Sequence, residues 1–151
     1  MRILAVSGSL RARSSNTAAL NAAAKLAPPG VEVVLYEGIA ALPHFNPDVD
    51  ESGPPATVLE WRGQVERAQG LLICSPEYAR GVAGVMKNAL DWLVSGPEFH
   101  EKPVAVINAS QRATHADAGL RVTLTTMSGR LVESASITLP LLGKNLDAEA
   151  I

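Results

Sequence analysis

The sequence predicts a doubly wound α/β fold, a parallel sheet covered by helices on both faces. Three observations carry this expectation. Five short runs, RILAVS (2–7), VEVVLY (31–36), GLLICS (70–75), PVAVIN (103–108) and SASITL (134–139), are spaced along the chain and rich in β-branched or other apolar residues. Most are continuously apolar rather than alternating, which marks strands buried on both faces. Between them lie longer stretches of helical pattern, and strands that alternate with helices build βαβ units.

The first strand, 2–7, runs into the polar segment GSLRARSSN (8–16) and then into an Ala-rich helix expected at 16–26. The sequence APPG (27–30) stops that helix, because Pro cannot continue it and Gly readily ends it. After the second strand, residues 37–55, EGIAALPHFNPDVDESGPP, carry Pro at 43, 47, 54 and 55 and form the longest irregular stretch. Long loops in compact domains are functional or mobile. Further helices are expected at 55–69, 84–95 and 117–130, each leading into the next strand. Only PLLGKNLDAEAI (140–151) follows the fifth strand. The last covering helix is therefore expected to be a stub or to lie beyond this sequence.

At 151 residues the chain has the size of one domain, 1–151, with one sizeable core. Hydrophobic residues make up 47% and charged residues 19%, the balance of an ordinary globular chain, and with aromatics at 4% the core falls to Ala, Val and Leu. Thirteen basic against fifteen acidic residues give a formal net charge of -2 and a pI of about 5.9. That balance offers no basic excess for nucleic acid or for an anionic membrane surface. The single Cys74 excludes an internal disulfide and a multi-cysteine metal site. His44, His100 and His115 share no metal-ligand spacing. The start, MRILAVSGSL, lacks a long apolar core and a small-residue cleavage pattern, and no stretch approaches the roughly 20 apolar residues of a membrane span. The cytoplasm is the expected compartment.

In open α/β sheets ligands bind beyond the carboxyl ends of the strands, so the loops after the first, third and fourth strands hold the candidate chemistry. The first loop offers Ser9, Ser14, Ser15 and Asn16 as polar donors and Arg11 as a guanidinium fork, at the start of a helix whose N–H groups point the same way. This describes an anion cradle of the kind that holds phosphate, although Ser and Asn there also serve as helix caps. Its spacing matches neither the G-x-x-x-x-G-K-[ST] nucleotide loop nor the G-x-G-x-x-G dinucleotide loop. The second loop, SPEYARGVAG (75–84), has Pro76, Gly81 and Gly84 to shape it, and carries Glu77 and the flat ring of Tyr78. Cys74, at the end of an apolar strand, reads as a small buried core residue, since reactive thiols need an exposed electropositive setting.

GSLRARSSN and PEYARGVAGVMKNALDWL (76–93), with LPHFNPD (42–48) between them, resemble the signature segments of the NAD(P)H-dependent FMN reductase family, which includes quinone, azo and chromate-type reductases. The resemblance spans roughly the first two thirds of the chain, and paired motifs in the expected order make it specific. It implies a flavodoxin-like five-stranded sheet in the order 2-1-3-4-5. It also implies FMN as cofactor, the phosphate held by Ser9, Arg11, Ser14 and Asn16, and the ring contacted by Pro76, Glu77 and Tyr78, with Gly81 and Ser110 completing the site. NADPH or NADH would be the reductant, and a quinone, free flavin or similar small molecule the acceptor. Two-electron exchange would be ping-pong at one open ring face.

The sequence departs from the family pattern at Ala79, where many members have Asn, and at Ala83, where many have Pro. The third loop, NASQRATHADAGLR (108–121), places Ser110, Gln111, Arg112 and His115 where small residues are common. Trp61, Trp92 and Leu93 read either as plain core or as contact residues, because the family packs the helix around Lys87–Leu93 at a subunit interface, which implies a homodimer or homotetramer, and Trp is enriched at such contacts. Two other readings compete: a flavodoxin-type carrier of single electrons, whose strongly acidic surface and Arg-free phosphate loop are absent here, and a flavin-free scaffolding domain.

Overall fold

Alternate residues of three adjacent strands face two different cores, and this pattern organises the computed structural model, which describes residues Met1–Ile151. Strand β1 (Arg2–Ser7) lies between β2 (Glu32–Leu35) and β3 (Gly70–Cys74), and β3 pairs with β6 (Pro103–Asn108), all in parallel. Leu4, Val6, Leu71, Ile73, Val104 and Val106 point to the larger core, while Ala5, Cys74 and Ile107 point to the smaller one. Both faces are buried, as the continuous apolar runs predict.

The helices divide between the faces. Helix α1 (Ser15–Lys25) sets Ala19 and Leu20 on the smaller core. On the opposite face, α3 (Ala56–Arg67) contributes Val58, Trp61 and Val65, α4 (Gly84–Asp91) contributes Met86, Ala89 and Leu90, and α5 (Thr114–Thr126) contributes Leu120 and Leu124. Leu139, Leu141, Leu146 and Ile151 of the final segment pack beside α1, with no covering helix there. No helix is long and apolar enough to cross a membrane.

Four expectations are corrected. The fifth strand is not one run over 134–139: β7 (Arg130–Leu131) pairs with the start of β6 and β8 (Ile137–Thr138) with its end, and a 3-10 turn, Glu133–Ala135, separates them. The cause is Ser136, whose hydroxyl accepts the Val106 N–H at 3.0 Å and donates to Val132 O at 3.0 Å, taking a ladder bond onto a side chain. The segment 37–55 is partly regular. It contains a 3-10 turn, Gly38–Ala41, and a short helix α2 (Pro47–Ser52), started by Asn46 as cap, whose Oδ1 accepts the Asp48 N–H at 2.9 Å, with Pro47 in the first turn.

The loop after β3 is a tight hairpin, β4 (Glu77–Tyr78) and β5 (Gly81–Val82). Helix boundaries move too. Helix α4 ends at Asp91 rather than 95, and α5 runs 114–126 rather than 117–130. After α5, Ser128 turns to a φ of 64° and Gly129 lies so close to Phe99 and Leu124 O that no Cβ fits.

Trp61, Trp92 and Leu93 are interior residues of the protomer, at most 1% exposed, and so do not form a subunit contact. Trp61 Nε1 donates to Ala89 O at 2.8 Å and Trp92 Nε1 to Pro43 O at 2.8 Å, satisfying both indoles. Asn88 completes the tie. Its Oδ1 accepts the Phe45 N–H at 2.8 Å and its Nδ2 donates to Pro43 O at 2.9 Å, while Phe45 stacks edge-on against Trp92 at 5.0 Å. The KNALDWL and LPHFNPD segments therefore hold each other.

Candidate functional site

The carboxyl ends of β1, β3 and β6 feed three loops that enclose a cavity of about 310 Å³, at the lower end of the usual range for small-molecule sites. Of the residues expected there, Ser9, Arg11, Ser14, Asn16, Pro76, Glu77, Tyr78 and Ser110 line it. Gly81 does not. It closes the hairpin opposite Tyr78, and a Cβ at that position would meet only Tyr78 O at 3.6 Å, an ordinary contact. Ser15, Ser75, Asn108, Ala109, Arg112, Ala113 and Leu142 also line the cavity. Of these, Ser15 and Arg112 stand inside motifs already noted, whereas Leu142 lies 31 residues beyond Gln111 and nothing local marks it.

Each wall is shaped by its own sequence. Ser14 caps α1, its Oγ accepting the Thr17 N–H at 3.3 Å. The N–H groups of Ser15 and Asn16, which precede any intrahelical acceptor, have no partner in the fold. Ser7 Oγ shares a hydrogen bond with Thr17 Oγ1 at 2.8 Å and accepts the Ser9 N–H at 3.3 Å, fixing the first loop from below. Gly8 has no room for a side chain, since a Cβ would collide with Ser75. This lets the first and second loops touch. In the third loop Asn108 accepts the Ser110 N–H at 3.0 Å and donates to Ala113 O at 3.3 Å, and Ser110 Oγ accepts the Arg112 N–H at 3.2 Å.

The electrostatics of the cavity favour an anion. Arg11 and Arg112 line it, and neither enters any ion pair of the molecule. The one carboxylate among the lining residues, Glu77, is engaged: its Oε2 accepts the Ala116 N–H at 2.8 Å at the start of α5. What remains at the α1 end is free of carboxylates and rich in donors, two backbone N–H groups, hydroxyls, an amide and a guanidinium, which fits a phosphate dianion. Pro76, Tyr78, Ala109, Ala113 and Leu142 supply the apolar surface a flat ring needs. The donor set and the flat walls together fit FMN. Beneath the cavity Cys74 is fully buried, and burial pushes its thiol up to about 12 against the lowering influence of the Ala109 backbone.

Fold and cavity define a flavodoxin-like α/β protein whose candidate anion cradle lies at the first strand-to-helix turn. Residues 1–141 match the model of the NADPH-dependent FMN reductase family, and the chain belongs to that family. It is 44% identical over 112 residues to an NAD(P)H-dependent FMN reductase of Pseudomonas aeruginosa, covering 73% of this chain and 60% of the relative. It is 37% identical over 113 residues to a quinone reductase of Escherichia coli, with the same shares. The chain thus spans about 60% of the length of these curated relatives. Among solved structures it superposes on FerB, a flavoenzyme NAD(P)H:(acceptor) oxidoreductase from Paracoccus denitrificans, with a TM-score of 0.79 at 31% identity, covering 87% of this chain and 75% of that one.

Proposed function

We propose that this protein is an NAD(P)H-dependent FMN oxidoreductase that passes two electrons to quinones, flavins or similar small acceptors. One observation carries the reading: a single cavity joins a donor-rich, carboxylate-free cradle at the α1 N-terminus to apolar walls from the two neighbouring loops. The names of its relatives, an FMN reductase and quinone reductases, favour an enzyme over a single-electron carrier.

In this reading Arg11, Ser9, Ser14 and Asn16, with the N–H groups of Ser15 and Asn16, hold the FMN phosphate. Pro76, Tyr78 and Ala109 orient the ring, and Ser110 meets its polar edge. FMN bound there supplies the electron exchange between a reduced nicotinamide and the acceptor. The protein's own residues bind and position, and none acts as a nucleophile. With one open side to the cavity, donor and acceptor take turns. A cytoplasmic location belongs to the same proposal. So does association as a homodimer or homotetramer over the outer face of α4 from Lys87 onward, beside the exposed Leu10, Tyr78 and Val94.

The test begins with FMN titrated into the purified protein, followed by steady-state oxidation of NADH and NADPH with benzoquinone. Bound flavin, its reduction by at least one dinucleotide and parallel double-reciprocal lines are expected. A protein that binds FMN but is not reduced by either dinucleotide is not this enzyme. Light scattering after gel filtration decides the oligomeric state.

A further inference from the structure

We infer that the Cys74 thiol is a positioning residue of the anion cradle: it fixes the Asn16 amide so that the NH₂ group faces the cavity. This rests on the FMN reading above. Cys74 ends β3 and touches both neighbouring loops. Its carbonyl accepts the Gly8 N–H at 2.8 Å, and its S–H donates to Asn16 Oδ1 at 3.3 Å.

The direction of the thiol bond follows from the chemistry of the pair: an amide oxygen can only accept, so the buried S–H is the donor. A side-chain amide carries its oxygen and its NH₂ on opposite arms. With Oδ1 held at the thiol, Nδ2 turns away from it, toward the cavity that Asn16 lines. There it joins the unpartnered N–H groups of Ser15 and Asn16, so an anion meets only donors. Without the thiol the amide is free to flip and present an oxygen to the phosphate. Burial keeps the thiol protonated across the physiological range, as a donor must be.

FMN and riboflavin, which lacks the phosphate, are titrated into the flavin-free full chain by fluorescence quenching. Cys74→Ala is expected to weaken FMN by about tenfold and to leave riboflavin within about twofold, while Cys74→Ser, which keeps a donor, restores FMN affinity. Asn16→Ala weakens FMN as well, and adding Cys74→Ala to it costs nothing further, because the two act as one unit. Asn16→Asp, an acidic residue welcome in the first turn of a helix, keeps the acceptor for the thiol but puts an oxygen toward the phosphate. It therefore weakens FMN more than Asn16→Ala does, and it answers the question even if Cys74→Ala does not fold. Four results overturn the inference: unchanged FMN affinity in folded Cys74→Ala, equal losses for FMN and riboflavin, independent losses in the double variant, or Asn16→Asp binding FMN no worse than Asn16→Ala. Wild-type protein that binds no FMN overturns the cofactor reading as well, whereas normal wild-type binding with an indifferent Cys74→Ala overturns this inference alone.

Discussion

Glu77 caps a helix that begins 37 residues further along the chain: its Oε2 accepts the Ala116 N–H at 2.8 Å, on the third residue of α5. Ala113, at the cap position, has no side-chain acceptor to offer, so the Glu77 carboxylate supplies from another loop what Ser or Asp supplies elsewhere. The second and third loops of the cavity are thereby locked together. Glu77→Ala is expected to destabilise the protein by roughly 1 kcal/mol, the cost of a lost cap, and to weaken FMN binding by loosening both loops. Glu77→Gln keeps an acceptor oxygen and loses less. Urea unfolding of the three proteins checks the order, and equal stability of wild type and Glu77→Ala refutes the capping role.

This contact explains which parts of the site could be read from the sequence. The cradle residues Ser9 to Asn16 lie within eight consecutive positions on one strand-to-helix turn, so their convergence follows from local geometry. The role of Glu77 depends on where α5 starts, and that start is set by Asn108 and Ser110 folding their own loop, which no periodicity reveals. The sheet was readable for the same reason as the cradle: β1, β3 and β6 are apolar on both faces. The fifth strand was not, because Ser136 spends its hydroxyl on the ladder. The NPD of residues 46–48 did carry a signal, an Asn cap followed by Pro, for the helix α2 that expectation missed.

The hairpin between β4 and β5 turns through Ala79 and Arg80 at φ of 49° and 58°. Both are left-handed conformations that Asn and Gly adopt cheaply and that cost other L-residues roughly 1 kcal/mol each. Ala79→Asn and Arg80→Gly are each expected to raise stability by roughly 0.5–1 kcal/mol, and Ala79→Val to lower it, because a β-branched residue tolerates this region worst. Thermal melts of the three variants test it. If Ala79→Val melts with wild type, the turn is not strained as described.

Arg11 and Arg13 are two residues apart and both exposed, yet only Arg11 lines the cavity. Arg11→Ala should weaken FMN by roughly 1.5–3 kcal/mol, the usual worth of a charge-assisted contact. Arg13→Ala should change it little. The difference should shrink as salt is raised, because both side chains face water. Equal affinities of the two variants would remove Arg11 from the cradle.

Arg62 of α3 clasps the segment that holds α2. Its guanidinium reaches Asp50 Oδ1 at 2.9 Å, Glu98 Oε1 at 3.4 Å, Ser95 Oγ at 2.9 Å and Trp92 O at 2.8 Å, and Ser95 in turn donates to Asp50. The side chains of Asp50 and Glu98 are each only 9% exposed, so removing the cation strands two carboxylates out of water. Arg62→Ala should cost roughly 2–3 kcal/mol, lower the melting temperature by roughly 5–10 °C and open residues 37–55 to thermolysin. A variant that resists the protease as well as wild type does would show that α2 is held by its apolar contacts instead.

The last expectation concerns alkaline pH and follows from the buried thiol. Cys74 has an ordinary value of 9.0, and burial raises it to about 12 in the fold. Below pH 9.0 the thiol is protonated in both the folded and the unfolded chain, and its full contribution to stability is present. Above that the unfolded chain gives up the proton while the folded chain keeps it, so the unfolded state gains. Stability should therefore fall by about 1.4 kcal/mol per pH unit from this group, until the folded thiol ionises as well. Tyr36 acts in the same direction from its own ordinary value of 10.0, its hydroxyl pushed up by burial and by the Glu60 carboxylate. In Cys74→Ser the hydroxyl does not ionise in this range, so the decline should begin about one pH unit later and be shallower. Denaturant midpoints of both proteins, measured at about pH 8, 9 and 10, decide it. Identical curves would mean that the thiol ionises at the same pH in the folded and unfolded chain, and that its burial carries no electrostatic cost.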